Sequence, residues 1–220
     1  MKINEIFKSI SGEAARAGYP VIFIRTYGCN LRCGYCDTMY AVEGGEYTVK
    51  TPKQILAECE ELGVKRVVLT GGEPLIQPDA PDLVDLLCDN GYEVEIETNG
   101  AVKLSDFHLK LVTKRKDLLT YTVDFKSISS GMSGKMILDN LEFLGRNDVL
   151  KFVVGSQADL TQMKSIIQNY EIHGQIFVSP IFGDIEPKEI VEFILGNNLH
   201  NVRVQLQLHK FIWNVNQRGV

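Results

Sequence analysis

Three cysteines, Cys29, Cys33 and Cys36, fall within eight positions in the run Gly28-Cys29-Asn30-Leu31-Arg32-Cys33-Gly34-Tyr35-Cys36-Asp37-Thr38. Three thiolates this close can hold three irons of a [4Fe-4S] cluster, whose usual protein complement is four cysteines. One iron is then left open, and an open position is what separates a catalytic metal centre from a closed structural one. The loop therefore points to chemistry at iron. A zinc knuckle, a disulfide-forming segment and cysteines that merely pack are the competing readings. Zinc asks for a fourth Cys or His at short spacing, and the nearest histidine is His108. Disulfides are disfavoured because Met1-Lys2-Ile3-Asn4-Glu5-Ile6 has neither the apolar stretch nor the small-residue cleavage site of a secretory leader.

A second segment with chemical content is Thr70-Gly71-Gly72-Glu73-Pro74. Paired glycines let the backbone approach a ligand without a Cβ between them, and Glu73 is an acceptor for a ligand's ammonium. Taken alone, the segment is a weak signal and reads better as a plain turn.

The elements that must position these loops show as short β-branched runs alternating with helical patterns, the rhythm of βα units on a parallel sheet. Strands are expected at Val21–Tyr27, Arg66–Thr70, Glu93–Glu97, Thr120–Asp124, Val149–Val154, Gln175–Val178 and Val202–Leu206. Helices are expected over Thr51–Leu62, with Thr51 as N-cap and Pro52 in the first turn, and over Pro81–Asn90, ending before Gly91. Further helices are expected around Lys135–Leu144, Asp159–Tyr170 and Pro187–Leu195. The fold class is α/β, and seven strands suit an incomplete parallel β/α barrel, since a full eight-unit barrel takes about 250 residues. Chemistry in such folds gathers beyond the carboxyl ends of the strands, and both loops follow predicted strands.

The Cys-x-x-x-Cys-x-x-Cys loop, with the Gly-Gly-Glu-Pro segment a few dozen residues on, resembles the radical S-adenosylmethionine (SAM) family. The resemblance implies that SAM chelates the open iron through its methionine group and, on reduction of the cluster, is cleaved to a 5'-deoxyadenosyl radical. It places Tyr35 and Asp37 against the cofactor, Gly72 and Glu73 at the methionine amino group, and Lys126 near its carboxylate or ribose. Backbone at Ser179, Pro180, Ile181 and Phe182 would meet the adenine.

Further matches narrow the likeness: Ile3-Asn4-Glu5-Ile6-Phe7, Ser11-Gly12-Glu13, Phe23-Ile24-Arg25, Cys36-Asp37-Thr38 and Gln207-Leu208-His209-Lys210. Together they resemble the pterin-rearranging branch of the family, over nearly the whole chain. Members of that branch contract 6-carboxy-5,6,7,8-tetrahydropterin to 7-carboxy-7-deazaguanine with loss of ammonia, on the way to queuosine in tRNA and related deazapurines. The resemblance implies Arg25 as partner of the substrate carboxylate, Ile10, Ser11 and Gly12 at the pterin edge, and Thr70, Glu97 and His209 around the ring. It implies Thr38 as a Mg2+ ligand, a homodimer, and an electron donor such as flavodoxin or ferredoxin. A glycyl-radical activase is the rival within the family; a non-catalytic Fe-S carrier or a zinc-binding interaction module is the rival outside it.

Composition agrees with an ordinary globular enzyme. The 220 residues are 45% hydrophobic and 23% charged, and one domain over 1–220 of this size buries about 70% of the unfolded chain's surface. No apolar stretch approaches the ~20 residues that span a bilayer, so no membrane association and a cytoplasmic location are expected. The balance of 23 basic against 28 acidic residues, with no basic block, argues against direct nucleic-acid binding. Cys59 and Cys88 fall inside predicted helices and read as small buried hydrophobes. Phe211, Ile212 and Trp213 read as a packing or dimer patch.

Overall fold

The computed structural model describes residues 1–214 and 217–220. Its centre is one nine-stranded sheet: β1 (Lys2–Ile10), β2 (Pro20–Thr26), β3 (Thr48–Val49), β4 (Arg66–Gly71), β5 (Glu93–Thr98), β6 (Leu119–Lys126), β7 (Val149–Val154), β8 (Gln175–Pro180) and β9 (Val202–Val204). The spatial order is β3-β1-β2-β4-β5-β6-β7-β8-β9. From β2 to β9 every neighbouring pair is parallel, while β1 runs antiparallel to both β2 and β3. The sheet ends at β3 and β9, so the barrel is incomplete, as expected.

The helices are α1 (Met39–Val42), α2 (Pro52–Leu62), α3 (Ala80–Asp89), α4 (Leu104–His108), α5 (Asp139–Phe143), α6 (Gln157–Asn169), α7 (Pro187–Gly196) and α8 (His209–Ile212). Local chemistry sets the ends of the longer ones. Thr51 and Gln54 form a reciprocal capping box on α2, and Gly63 closes it at φ 68°, a left-handed conformation that costs glycine least. Ser156 accepts from the Asp159 N–H to cap α6.

The expected helix around Lys135–Leu144 is corrected. Residues Ser133–Lys135 form a 3-10 turn, Met136 is extended, and only Asp139–Phe143 is helical. The Ile137 N–H is taken by the Gly100 carbonyl, which pulls the chain away from a continuous helix.

Pleating gives the sheet two faces of opposite character. One parity, including Ile24, Leu69, Ile96, Val123, Phe152 and Val178, packs beneath the helices and forms the main apolar core. The other parity faces the concave side and is largely polar: Arg25 lies level with Thr70, Glu97 with Thr122, and Asp124 with Lys151. The β1–β2 connection then crosses this face. Ala14 is buried with Val149 and Phe177, and its backbone N–H and C=O both meet the Gln205 side chain. Cys59 and Cys88 are fully buried free thiols within the core; burial pushes them up to about 12 and about 11.

Candidate active site

A cavity of about 650 Å3 opens on the concave face. All three loop thiols line it, and each is partly exposed and free. Their loop springs from the end of β2 and is pinned by backbone: Gly28 N–H donates to the Ala41 carbonyl and Gly34 N–H to the Ser130 carbonyl. The thiols sit in different surroundings. Burial raises Cys33, opposed by the Lys126 charge; burial also raises Cys36, opposed by the Thr38 backbone N–H. Cys29 Sγ accepts N–H bonds from the Leu31 backbone and the Asn99 carboxamide.

The Gly-Gly loop reaches this site by close backbone contact. A Cβ on Gly72 would lie 2.1 Å from the Gly28 carbonyl oxygen, and Gly71 sits at φ 132° against the Thr26 backbone, so both positions require glycine. Gly72 lines the cavity, but Glu73 does not. Its carboxylate has no exposure and accepts from Leu75 N–H, Thr98 Oγ1 and Asn99 N–H. Burial outweighs those donors and lifts it to about 7.

On the opposite wall Lys126 Nζ pairs with Asp124 Oδ2 at 3.0 Å, and Lys151 Nζ lies between Asp124 Oδ2 at 3.5 Å and Glu13 Oε2 at 3.1 Å. Burial works to lower both lysines, but the neighbouring carboxylates, led by Asp124 for Lys126 and Glu13 for Lys151, hold both above their usual range. The same lysines hold Asp124 below the carboxylate range against its burial. Glu97 accepts from Thr70 Oγ1 at 3.0 Å and is raised, first by burial. Beneath it Glu95, bonded to Thr122 Oγ1 and 3.6 Å from Arg16 Nε, is lifted to about 7 by burial and then by Glu97.

The rim is built from both ends of the chain. Arg25 Nε pairs with Glu5 Oε1 at 2.7 Å, and Tyr40 donates its hydroxyl to the same oxygen at 3.0 Å. Thr38 donates to Asp37 Oδ1 at 2.7 Å, and Lys210 Nζ pairs with Asp37 Oδ2 at 3.0 Å. Leu208 N–H donates to the Gly12 carbonyl, tying the tail to the β1–β2 connection. The described tail residues 217–220 line the cavity as well, and the Arg218 guanidinium stands 3.8 Å from the Tyr40 ring centroid.

The structure thus gathers most residues singled out from the sequence at one cavity: Ile10, Ser11, Gly12, Arg25, Tyr35, Asp37, Thr38, Thr70, Gly72, Glu97, Lys126, Ile181, Phe182 and His209, with the three cysteines. Glu73, Ser179 and Pro180 stand behind its surface. Sequence reasoning missed Lys151, Asn99 and Tyr40 and gave no role of their own to Glu5, Glu13 and Asp124. Lys151 had a visible signal, a charge in the otherwise apolar Val149–Val154; the others only become neighbours through the fold.

The donor set fits an iron-sulfur cluster with a polar cofactor beside it. Soft thiolates suit Fe-S centres, and among the described residues no three His, Cys, Asp or Glu side chains close on one point as around a single ion. Tyr35 OH and Asp124 Oδ1 are buried at the cavity with no hydrogen-bonding partner among the described residues. Buried polar atoms of that kind call for a ligand.

Comparison with known proteins agrees. Residues 23–130 match the Radical SAM superfamily model. The 7-carboxy-7-deazaguanine synthase of Clostridium acetobutylicum is 45% identical over 100% of this chain and 99% of that protein. The synthase of Chlorobaculum tepidum is 38% identical over 100% and 97%. The crystal structure of QueE from Escherichia coli superposes with a TM-score of 0.74 at 26% identity, covering 94% of both chains. Streptococcus suis SuiB bound to S-adenosylmethionine shares the fold, with a TM-score of 0.59 at 16% identity over 84% of this chain and 49% of that one. Matched over its whole length at 45% and 38% identity, the chain belongs to the 7-carboxy-7-deazaguanine synthase family of radical SAM enzymes.

Proposed function

We propose that this cavity is where the chain brings together a [4Fe-4S] cluster, SAM and its pterin substrate. The chain is a radical SAM lyase that converts 6-carboxy-5,6,7,8-tetrahydropterin to 7-carboxy-7-deazaguanine with loss of ammonia, in queuosine and 7-deazapurine biosynthesis. The observation that carries the reading is the opening of three partly exposed thiols and Arg25 onto one cavity. A glycyl-radical activase, an Fe-S carrier or a zinc module has no use for that combination.

In this reading Cys29, Cys33 and Cys36 hold the cluster. When bound, the cluster and SAM supply a hydrogen-abstracting radical through one-electron cleavage. Gly72 lets the cofactor approach backbone, Lys126 holds positive charge over the Tyr35 ring, Asp37 faces the cofactor from the rim, and Ile181 and Phe182 close the adenine side. Glu73, Ser179 and Pro180 support that wall from behind. Arg25 receives the substrate carboxylate through its terminal nitrogens, because Nε is committed to Glu5. Ile10, Ser11 and Gly12 offer backbone to the pterin edge, and Thr70, Glu97 and His209 surround its ring. The protein's task is orientation of the reacting carbon and exclusion of water.

Thr38 is the protein ligand of a Mg2+ ion whose shell is completed by the substrate carboxylate and waters. Its hydroxyl hydrogen is taken by Asp37, which leaves oxygen lone pairs for a hard cation. The chain works as a single domain over 1–220, since the nine strands form one sheet. It pairs as a homodimer through exposed apolar residues such as Phe211 and Ile212. Flavodoxin or ferredoxin supplies the electron. Among the described residues no helix is long and apolar enough to cross a membrane, and a cytoplasmic setting suits the free thiols.

The test is anaerobic reconstitution with iron and sulfide, then SAM, reductant, Mg2+ and the pterin, with 7-carboxy-7-deazaguanine and ammonia measured. Product that disappears in Cys33→Ala is expected. SAM cleavage without any change in the pterin would sink the substrate assignment; absence of a cluster would return the loop to zinc or structure.

A further inference from the structure

Among the described residues Cys29 is the thiol that accepts a side-chain N–H. Its sulfur faces the Leu31 backbone N–H at 3.4 Å and Asn99 Nδ2 at 3.5 Å. The orientation of the Asn99 carboxamide follows from its other partners. Oδ1 faces the Ala101 N–H at 2.9 Å, which only an acceptor can do, so Nδ2 must face Asn30 Oδ1 at 2.8 Å and the sulfur. The Asn99 backbone is anchored too: its N–H donates to Glu73 Oε2 at 2.7 Å, while Oε1 of the same carboxylate accepts from Thr98 and Leu75. Asn99 is only 6% exposed, and Glu73 not at all. Side chains locked in this way aim a dipole at one atom with little freedom lost on use.

We propose that Asn99 is a positioning residue that acts through the Cys29 sulfur, donating an amide hydrogen bond that raises the reduction potential of the cluster. Glu73 is its anchor, which explains why that carboxylate faces Asn99 and Thr98 and not the cavity. The proposal rests on the reading of Cys29 as an iron ligand. An N–H dipole aimed at a ligating sulfur stabilises the added negative charge of the reduced state more than the oxidised state, so the one-electron couple becomes easier to reduce. The electron comes from the external low-potential donor, and no proton or ligand is exchanged. The other thiols have different surroundings, Cys36 a backbone N–H and Cys33 the Lys126 charge, so the tuning is local to one corner.

The experiment is an EPR-monitored redox titration of the reconstituted full chain, with iron and sulfide counted in each variant. Asn99→Ala is expected to retain its cluster and lose about tenfold in its reduced-to-oxidised ratio at a fixed poise, equal to about 59 mV for a one-electron couple. Asn99→Asp keeps an acceptor for the Ala101 N–H and places an anion beside the sulfur, so it should fall at least as far. Asn30 Oδ1 takes the other hydrogen of the same Nδ2 and holds the carboxamide in aim, so Asn30→Ala should lower the potential, by less than Asn99→Ala. Full cluster content with an unshifted potential in both Asn99 variants would reduce Asn99 to a loop clamp. Should those variants take up no cluster, Asn30→Ala decides: a fall supports the proposal, and an unchanged or higher potential overturns it. A wild-type chain that assembles no [4Fe-4S] cluster would instead remove the site reading beneath it.

Discussion

The imidazole of His209 rests against the bare α-carbon of Gly12, where a Cβ would lie 2.5 Å from Nδ1. The Leu208 N–H donates to the Gly12 carbonyl one residue earlier in the tail, so a strand end and a tail nearly two hundred residues apart share one contact. Gly12→Ala must therefore displace His209. A rise in pterin KM of about tenfold is expected, the worth of one hydrogen-bonding contact of about 1.4 kcal/mol. Steady-state kinetics with SAM saturating checks it, and an unchanged KM would take His209 out of the substrate wall.

Arg25 is placed to receive a carboxylate because Glu5 steadies Nε and leaves the other end of the fork. Arg25→Lys keeps the charge but loses paired donors, and the substrate KM should rise roughly 10- to 100-fold, as for loss of a charge-assisted bond of about 1.5 to 3 kcal/mol. Glu5→Gln should cost less. Equal kcat and KM losses in both would point to folding damage and not to substrate binding.

Lys151 is 4% exposed and stands between Glu13 and Asp124. Removing one partner from a buried ionic group leaves the other charges uncompensated, so Lys151→Met should destabilise the cluster-free protein by about 3 to 5 kcal/mol. Urea unfolding measures this. Adding Glu13→Gln should recover part of the loss, since the two side chains share one network; purely additive losses would show that they do not.

Glu95 is lifted to about 7 in the fold, first by burial. The unfolded carboxyl titrates near 4.5, so between these values the folded state binds more protons and stability falls as pH rises. Its contribution is complete below about 4.5, declines toward 7 and is level above, a change of about 3 kcal/mol. Glu95→Gln should flatten that part of the curve, read from urea midpoints across pH. A variant curve identical to the wild type would place the proton elsewhere.

Much of the architecture was legible because strands and helices advertise their periods. The runs at Arg66–Thr70 and Val149–Val154 are β-branched and mostly apolar, as parallel strands packed beneath helices must be. Thr51 and Pro52 marked the start of α2. The strand Lys2–Ile10 escaped such reading, since Lys2, Glu5 and Lys8 break its apolar pattern; pairing with β2 and β3 supplies the order that composition lacks. The thiol loop was equally plain, because its chemistry depends on neighbours in the chain, while the glycine pair took its meaning from standing downstream of it.

What the tertiary structure decided are relations between distant charges. Glu13 and Lys151 are 138 positions apart, and burial makes each need the other. Glu73 was expected at a ligand's ammonium, yet the donors at Leu75, Thr98 and Asn99 take its carboxylate inward. Residue type and spacing by themselves named the cysteines and the glycines as chemical parts, and the family resemblance added Arg25. Which carboxylates face the cavity and which hold its wall depended on the packing, because a buried charge takes whichever partner the fold brings within reach.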